Sequence, residues 1–159
     1  MKTLVLGLGN ELYGDDGVGI EVIHELHNDP VIKKLSQHHS LELKASNLTG
    51  LKLLDLIADF DVLLIIDTIK SDQPTTGKIR LLDGSELRHI PGPSPHYVSI
   101  PQMIELGHQI GLKMPWIVKI IAVEAKNIYQ LGEGLTPEMK TSIPHIVRSV
   151  TQILEEVLS

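Results

Sequence analysis

The sequence predicts an α/β fold, a three-layer α/β/α sandwich on a mostly parallel sheet of roughly five strands, in one domain over residues 1–159. Three observations predict it. Short apolar runs of strand length alternate with segments whose apolar residues recur at helical spacing. The run DVLLII at residues 61–66 is apolar at every position after its first, the pattern of a strand buried on both faces. No repeat, low-complexity tract or linker divides the chain, which at 159 residues is long enough to bury a core of its own.

Taken in order, TLVLGL at residues 3–8 is a buried first strand ended by glycines. Val18, Val22 and Leu26, with Ile23 beside them, form a helix that Asn28-Asp29-Pro30 breaks. LELK at residues 41–44 alternates as a strand, and Leu51, Leu54 and Ile57 with Leu53 and Leu56 mark the next helix. DVLLII is the central strand. KIRLL at residues 78–82 is a further strand, open to an antiparallel placement. Residues 100–110 are helical with Met103, Ile104 and Leu106 inward, and WIVKIIAV at residues 116–123 is the last strand. Thr136-Pro137 reads as an N-cap followed by proline at the first helical position. It opens a C-terminal helix with Met139, Ile143, Ile146, Val150, Ile153 and Val157 in one stripe, which Pro144 is expected to kink or to divide after its first turn.

Composition narrows the function. The formal net charge is −6 and no run of Lys and Arg is present, which argues against nucleic acid or an anionic membrane as partner. Cysteine is absent, so disulfides, thiolate metal sites and cysteine nucleophiles are excluded. MKTLVLGL is too short in its apolar part for a signal peptide, and no segment reaches the length of a membrane span, so a cytoplasmic location is expected.

In such sheets ligands bind outside the carboxyl ends of the strands, where strand order reverses. GNELYGDDGVG follows the first strand, Asp67-Thr68 follows DVLLII, and Ser94-Pro95-His96 stands in a Pro-rich loop after KIRLL. If all three connections open on one edge, Asp16, Asp67 and His96 converge there, an N/O ligand set suited to Ni, Zn, Mn or Fe. Each residue also has an ordinary reading. The preferred one for Asp15 is a cap on the helix that starts near Gly17. Asp67 at the end of a doubly buried strand needs a partner, a metal or the N–H groups of the next turn. His96 by itself is a loop histidine.

Four other signals are set aside. GLGNEL lacks the third glycine of a dinucleotide fingerprint. In HELH, residues 24–27, the histidines are three apart instead of the four a zinc protease uses, and the stretch falls on the solvated side of its helix. His38-His39 reads as surface. Ser94 near His96 has no accompanying oxyanion arrangement.

LVLGLGNELYGDDGVG, LLIIDTI, SPH at residues 94–96 and GLTPEM at residues 134–139 together resemble the hydrogenase maturation endopeptidases. These trim the C-terminus of the large subunit of nickel–iron hydrogenases, and the resemblance runs from residue 3 to about residue 157. It implies an α/β/α fold, a hydrogenase large-subunit precursor as partner, and a monomer. It implies that nickel arrives in the substrate instead of residing in the enzyme. The family's metal-contacting residues fall on Asp16, Asp67 and His96, and Gly9 and Asn10 fall close to the bound peptide. With no cysteine and no serine triad in the chain, the attack on the peptide bond is expected from water, with an Asp of the trio as base or the nickel polarising the carbonyl. The sequence departs from the family in two places. Ala45-Ser46-Asn47-Leu48-Thr49-Gly50 replaces a turn with an Asp or Asn and two glycines, and Ala122-Val123-Glu124-Ala125 replaces a glycine and a proline.

Three alternatives stand beside this reading. One is a metal-dependent peptidase or amidase with a resident metal and an unrelated substrate. Another is a non-cleaving chaperone of the nickel-loaded precursor. The third is a nucleotide-binding module.

Overall fold

The computed structural model describes residues 1–48, 51–70, 73–83, 95–126, 131–132 and 134–159, with the backbone alone at residues 95–99 and 101. Five strands form one sheet in the order β2-β1-β3-β5-β4. They are β1 (Lys2–Leu8), β2 (Ser40–Ser46), β3 (Val62–Ile69), β4 (Ile79–Asp83) and β5 (Ile117–Glu124). All pairings are parallel except β4 with β5, so the antiparallel option for KIRLL is the one realised. Every residue of β3 is buried, as its unbroken apolar run requires.

Side chains divide between the two faces of the sheet with the period of two that strands impose. Leu63, Ile65 and Ile69 of β3 join Leu4 and Leu6 of β1 under α3 (Lys52–Ile57) and α4 (Pro95–Gln109). Leu64 and Ile66 join Val5 under α1 (Val18–Leu26), α2 (Pro30–His38) and α5 (Pro137–Leu158). This is the three-layer sandwich expected. The strand after β1 lies on one side of it and β3 on the other, so strand order reverses between β1 and β3. Ligands of such sheets bind at the carboxyl ends of those strands.

Glycine lets a helix sit directly on that switch point. A Cβ on Gly7 would lie 2.2 Å from the Gly19 carbonyl oxygen, and one on Gly19 would lie 2.7 Å from that of Leu8 and 2.8 Å from that of Ile66. Two facing glycines therefore bring the first turn of α1 onto the ends of β1 and β3.

Several expectations change. Asn28-Asp29-Pro30 does end α1, but it also starts α2. The Asp29 carboxylate accepts from the N–H groups of Val31 and Ile32 at 2.9 and 3.2 Å, with Pro30 at the first helical position. The central strand continues past Asp67 to Ile69. α4 begins at Pro95, so His96 lies in a first helical turn and not in a loop; proline at that position gives up no helical hydrogen bond. β4 is antiparallel and runs away from the carboxyl edge, so the connection that follows it does not leave from that edge. The start of α4 is what the topology assigns there, because the helix returns antiparallel to β5. Finally, α5 is continuous through Pro144; the proline removes the N–H that the Lys140 carbonyl would accept, without splitting off the first turn.

Candidate functional site

The loop after β1 folds around Asn10. Its side-chain Oδ1 accepts from the Leu12 N–H at 3.0 Å, and its carbonyl accepts from the Tyr13 N–H at 3.0 Å. A 3₁₀ turn over Gly14–Gly17 then leads into α1 and carries both aspartates. Their side chains go separate ways.

The Asp16 carboxylate turns back into the loop. Oδ2 accepts from the backbone N–H of Asn10 at 2.9 Å, and Oδ1 accepts from the Thr68 hydroxyl of β3 in a short hydrogen bond. Both donors are neutral, and among the described residues no lysine or arginine pairs with Asp16. Each carboxylate oxygen keeps a second lone pair for another partner. The result is an oriented, half-buried anion at the strand-order switch.

Asp15 is 2% exposed, and it does not cap α1, whose N-terminus has no side-chain cap. Its Oδ1 accepts from the Thr136 N–H at 2.8 Å and its Oδ2 from the Thr136 hydroxyl at 2.9 Å. Thr136 is the N-cap of α5, its hydroxyl accepting from the Met139 N–H at 3.3 Å. The carboxylate thus sits at the positive end of a helix 121 residues away in sequence. Gly132 reinforces the tie: its N–H donates to the Leu12 carbonyl and its carbonyl accepts from Gly14, both at 2.9 Å. Local spacing pointed Asp15 to the nearest helix, whereas the fold delivers it to another.

Asp67 is fully buried, and its Oδ1 accepts from the N–H of Thr68 at 2.8 Å. By alternation along β3 it lies on the side of Ile65 and Ile69, under α3 and α4, whereas Thr68 lies on the side of α1. Asp16 and Asp67 therefore approach the end of β3 from its two faces, with Thr68 next to one and bonded to the other. The backbone of His96 stands in the first turn of α4, whose Ile100 and Met103 pack on Asp67's side of the sheet; its side chain lies outside the described residues. Among the described residues no cluster of three or more His, Asp or Glu side chains forms a metal cage.

Gly9 and Asn10 are occupied in building this loop. A Cβ on Gly9 would lie 1.9 Å from the Asp16 carbonyl oxygen, so the close approach that demands glycine there is internal. The Gly9 N–H donates to the Ser46 carbonyl at 3.2 Å, which joins the loop to the end of β2. Of the signals set aside, His24 is exposed on α1 and His38 on α2; Ser94 lies outside the described residues. Sequence reasoning missed Thr68 and Thr136 as site-building residues. The signal for Thr68 was a hydroxyl at the carboxyl end of an otherwise apolar strand. For Thr136 it was the cap pattern itself, which says nothing of what else the cap binds.

The fold and site define the class first: an α/β/α protein with a carboxylate-bearing loop at the topological switch point of a mostly parallel sheet. The sequence model of the hydrogenase maturation proteases matches residues 31–153, and the chain belongs to that family. The matched stretch holds Asp67 and His96 and begins after Asp16. Among curated relatives, the hydrogenase expression/formation protein HupD of Bradyrhizobium diazoefficiens is 23% identical over 158 residues, covering 98% of this chain and 79% of the relative. The hydrogenase 2 maturation protease of Escherichia coli is 25% identical over 158 residues, covering 98% and 92%. Among solved structures, the hydrogenase-maturating endopeptidase HybD of E. coli superposes with a TM-score of 0.78 at 23% identity, covering 99% of this chain and 94% of the other. HybD of Thermococcus kodakarensis gives 0.70 at 23% identity, covering 96% and 99%. At that identity the structural likeness establishes the fold. Membership of the family makes the chain a peptidase. No described helix is long and apolar enough to cross a membrane.

Proposed function

We propose that this peptidase removes the C-terminal extension of a hydrogenase large-subunit precursor once nickel has been loaded, and that it does so as a cytoplasmic monomer. In this reading the nickel belongs to the substrate, and Asp16, Asp67 and His96 contact it to set the scissile bond in place. The observation that carries the reading is the Asp16 carboxylate, oriented by the Asn10 N–H and the Thr68 hydroxyl and paired with no lysine or arginine among the described residues. Such an anion, held by neutral donors, is completed by a cation that comes and goes with the substrate. Two carboxylates and an imidazole leave coordination positions to other ligands, consistent with a metal held chiefly by the precursor. With no cysteine in the chain, a water molecule attacks the scissile carbonyl. A carboxylate of the trio takes its proton, or the substrate's nickel polarises the carbonyl.

The test is cleavage of a large-subunit precursor with and without nickel, read as the mass of its C-terminus, for the parent protein and for Asp16→Asn, Asp67→Asn and His96→Ala. The expected outcome is loss of a peptide from the nickel-loaded form alone, reduced at least about 100-fold by each substitution. Binding of an intact precursor without product would favour a chaperone. Stoichiometric metal in the purified protein, with no action on the precursor, would favour a resident-metal peptidase of another substrate.

A further inference from the structure

A cleft of about 560 Å³ lies on the outer side of the Asp16 loop, between that loop, α1 and the start of α5. The volume is within the roughly 300–1,000 Å³ of ligand pockets. Its chemistry is uneven. Glu11 and Leu12 come from the loop, Glu21 from α1, and Leu135, Lys140 and Ile143 from α5 and the residues before it. Leu12 is 62% exposed, a large aliphatic side chain left in water at the cleft. Glu11 has no ion pair among the described residues, and Glu21 meets only the exposed His24, at 4.0 Å. Among the described lining residues the acids come from the loop and α1, and the one ammonium, that of Lys140, from α5.

The loop side of this cleft is firmly placed. Gly132 hydrogen-bonds to Leu12 and Gly14, and the Asp15 carboxylate grips Thr136, so loop and α5 are held as one unit. Glu11 and Leu12 directly follow Asn10, whose N–H orients Asp16. A chain seated in the cleft is thereby positioned relative to the Asp16 carboxylate by a loop already ordered before it binds. A cleft lined by Leu12, Leu135 and Ile143 together with the Glu11 and Glu21 carboxylates fits a polypeptide bearing an aliphatic side chain beside a lysine or arginine. Lys140 repels that cation toward the Glu11–Glu21 side and so sets the direction of the segment.

We infer that this cleft is a docking subsite for a basic-and-aliphatic stretch of the precursor polypeptide, separate from the metal-reading carboxylates. The inference rests on the precursor-processing reading above. Two measurements on the full-length protein test it. In the first, the Glu11→Gln/Glu21→Gln double variant is compared with the parent in precursor cleavage across a range of ionic strength. The expected result is a KM raised about three- to tenfold with kcat within twofold, and a KM that rises less with salt than the parent's does. In the second, a benzoylphenylalanine photocrosslinker replaces Leu12, and its attachment point is mapped by mass spectrometry. The expected product is a crosslink to a precursor stretch with a Lys or Arg within about three residues. Unchanged KM and salt dependence in the double variant would overturn the inference, as would a crosslink to a second copy of this chain or to a stretch without basic residues. If the parent cleaves and the variant behaves like it, the docking inference fails by itself. If the parent cleaves nothing, it is the precursor-processing reading that fails.

Discussion

The two ends of the sheet handle their acids in different ways. At the amino edge, Asp61 accepts from the Lys2 N–H at 2.7 Å, and its other oxygen lies 3.0 Å from the Lys113 ammonium. The neighbouring Phe60 ring has the Lys2 and Lys44 ammonium groups 5.1 and 5.4 Å from its centroid. At the carboxyl edge, Asp15 and Asp16 are held by the N–H groups of Thr136 and Asn10 and the hydroxyls of Thr136 and Thr68, with no lysine or arginine among the described residues pairing with either. A carboxylate matched by lysine is neutralised in place and has little left to offer a ligand. One held by neutral dipoles is fixed in direction but keeps its charge, and at half-buried Asp16 that charge is what the proposed reading relies on.

The largest effect on this contrast is expected from Thr68→Val, which removes the hydroxyl from Asp16 at nearly constant volume. A hydrogen bond to a charged group contributes roughly 1.5–3 kcal/mol, so cleavage of nickel-loaded precursor should fall about 10- to 100-fold, with Thr68→Ser recovering most of it. A Thr68→Val enzyme as active as the parent would show that Asp16 needs no orientation.

Asp15→Asn comes next, and it acts on stability. The amide keeps one acceptor but loses the charge at the N-terminus of α5 and opposes a donor to Thr136. The cost is about 1–3 kcal/mol in urea denaturation. Its effect on cleavage should be smaller than that of Thr68→Val. The reverse order would mean that the loop–α5 tie, and not the Thr68 contact, aims Asp16.

The smallest effect is expected at the other edge. The Lys2 N–H, and after it the Lys113 ammonium, hold the Asp61 carboxyl below the usual carboxylate range. A folded-state pKa below the unfolded one contributes stability that is present above about pH 4 and is lost as pH falls through the folded value. Asp61→Asn should therefore lower the thermal midpoint slightly at neutral pH, with the gap to the parent closing in acid. Cleavage should stay at the parent's level. A gap that widened in acid would reverse the sign of the linkage.

Much of the fold was legible because burial writes a period into the chain. DVLLII could only be a strand covered on both faces, and the spacing of Val18, Val22, Ile23 and Leu26 placed α1 where it is observed. α2 escapes the sequence pattern because Asn28-Asp29-Pro30 reads as an ending, although Asp29 and Pro30 are also the cap and first residue of the next helix. Its apolar residues are few, Val31, Ile32 and Leu35, and of these Ile32 alone is buried.

By itself the sequence determined the layers, the parallel core and the loop on which an acid must stand, since these follow from apolar periodicity and from where glycine interrupts it. Only the tertiary structure decided which acid does what. Asp15 and Asp16 are neighbours of identical chemistry, and nothing in their spacing tells them apart. Their roles come from partners at Thr136 and Thr68, 121 and 52 residues away. Hydrogen bonds of that separation depend on how helices pack onto a sheet, and a local pattern carries no record of it.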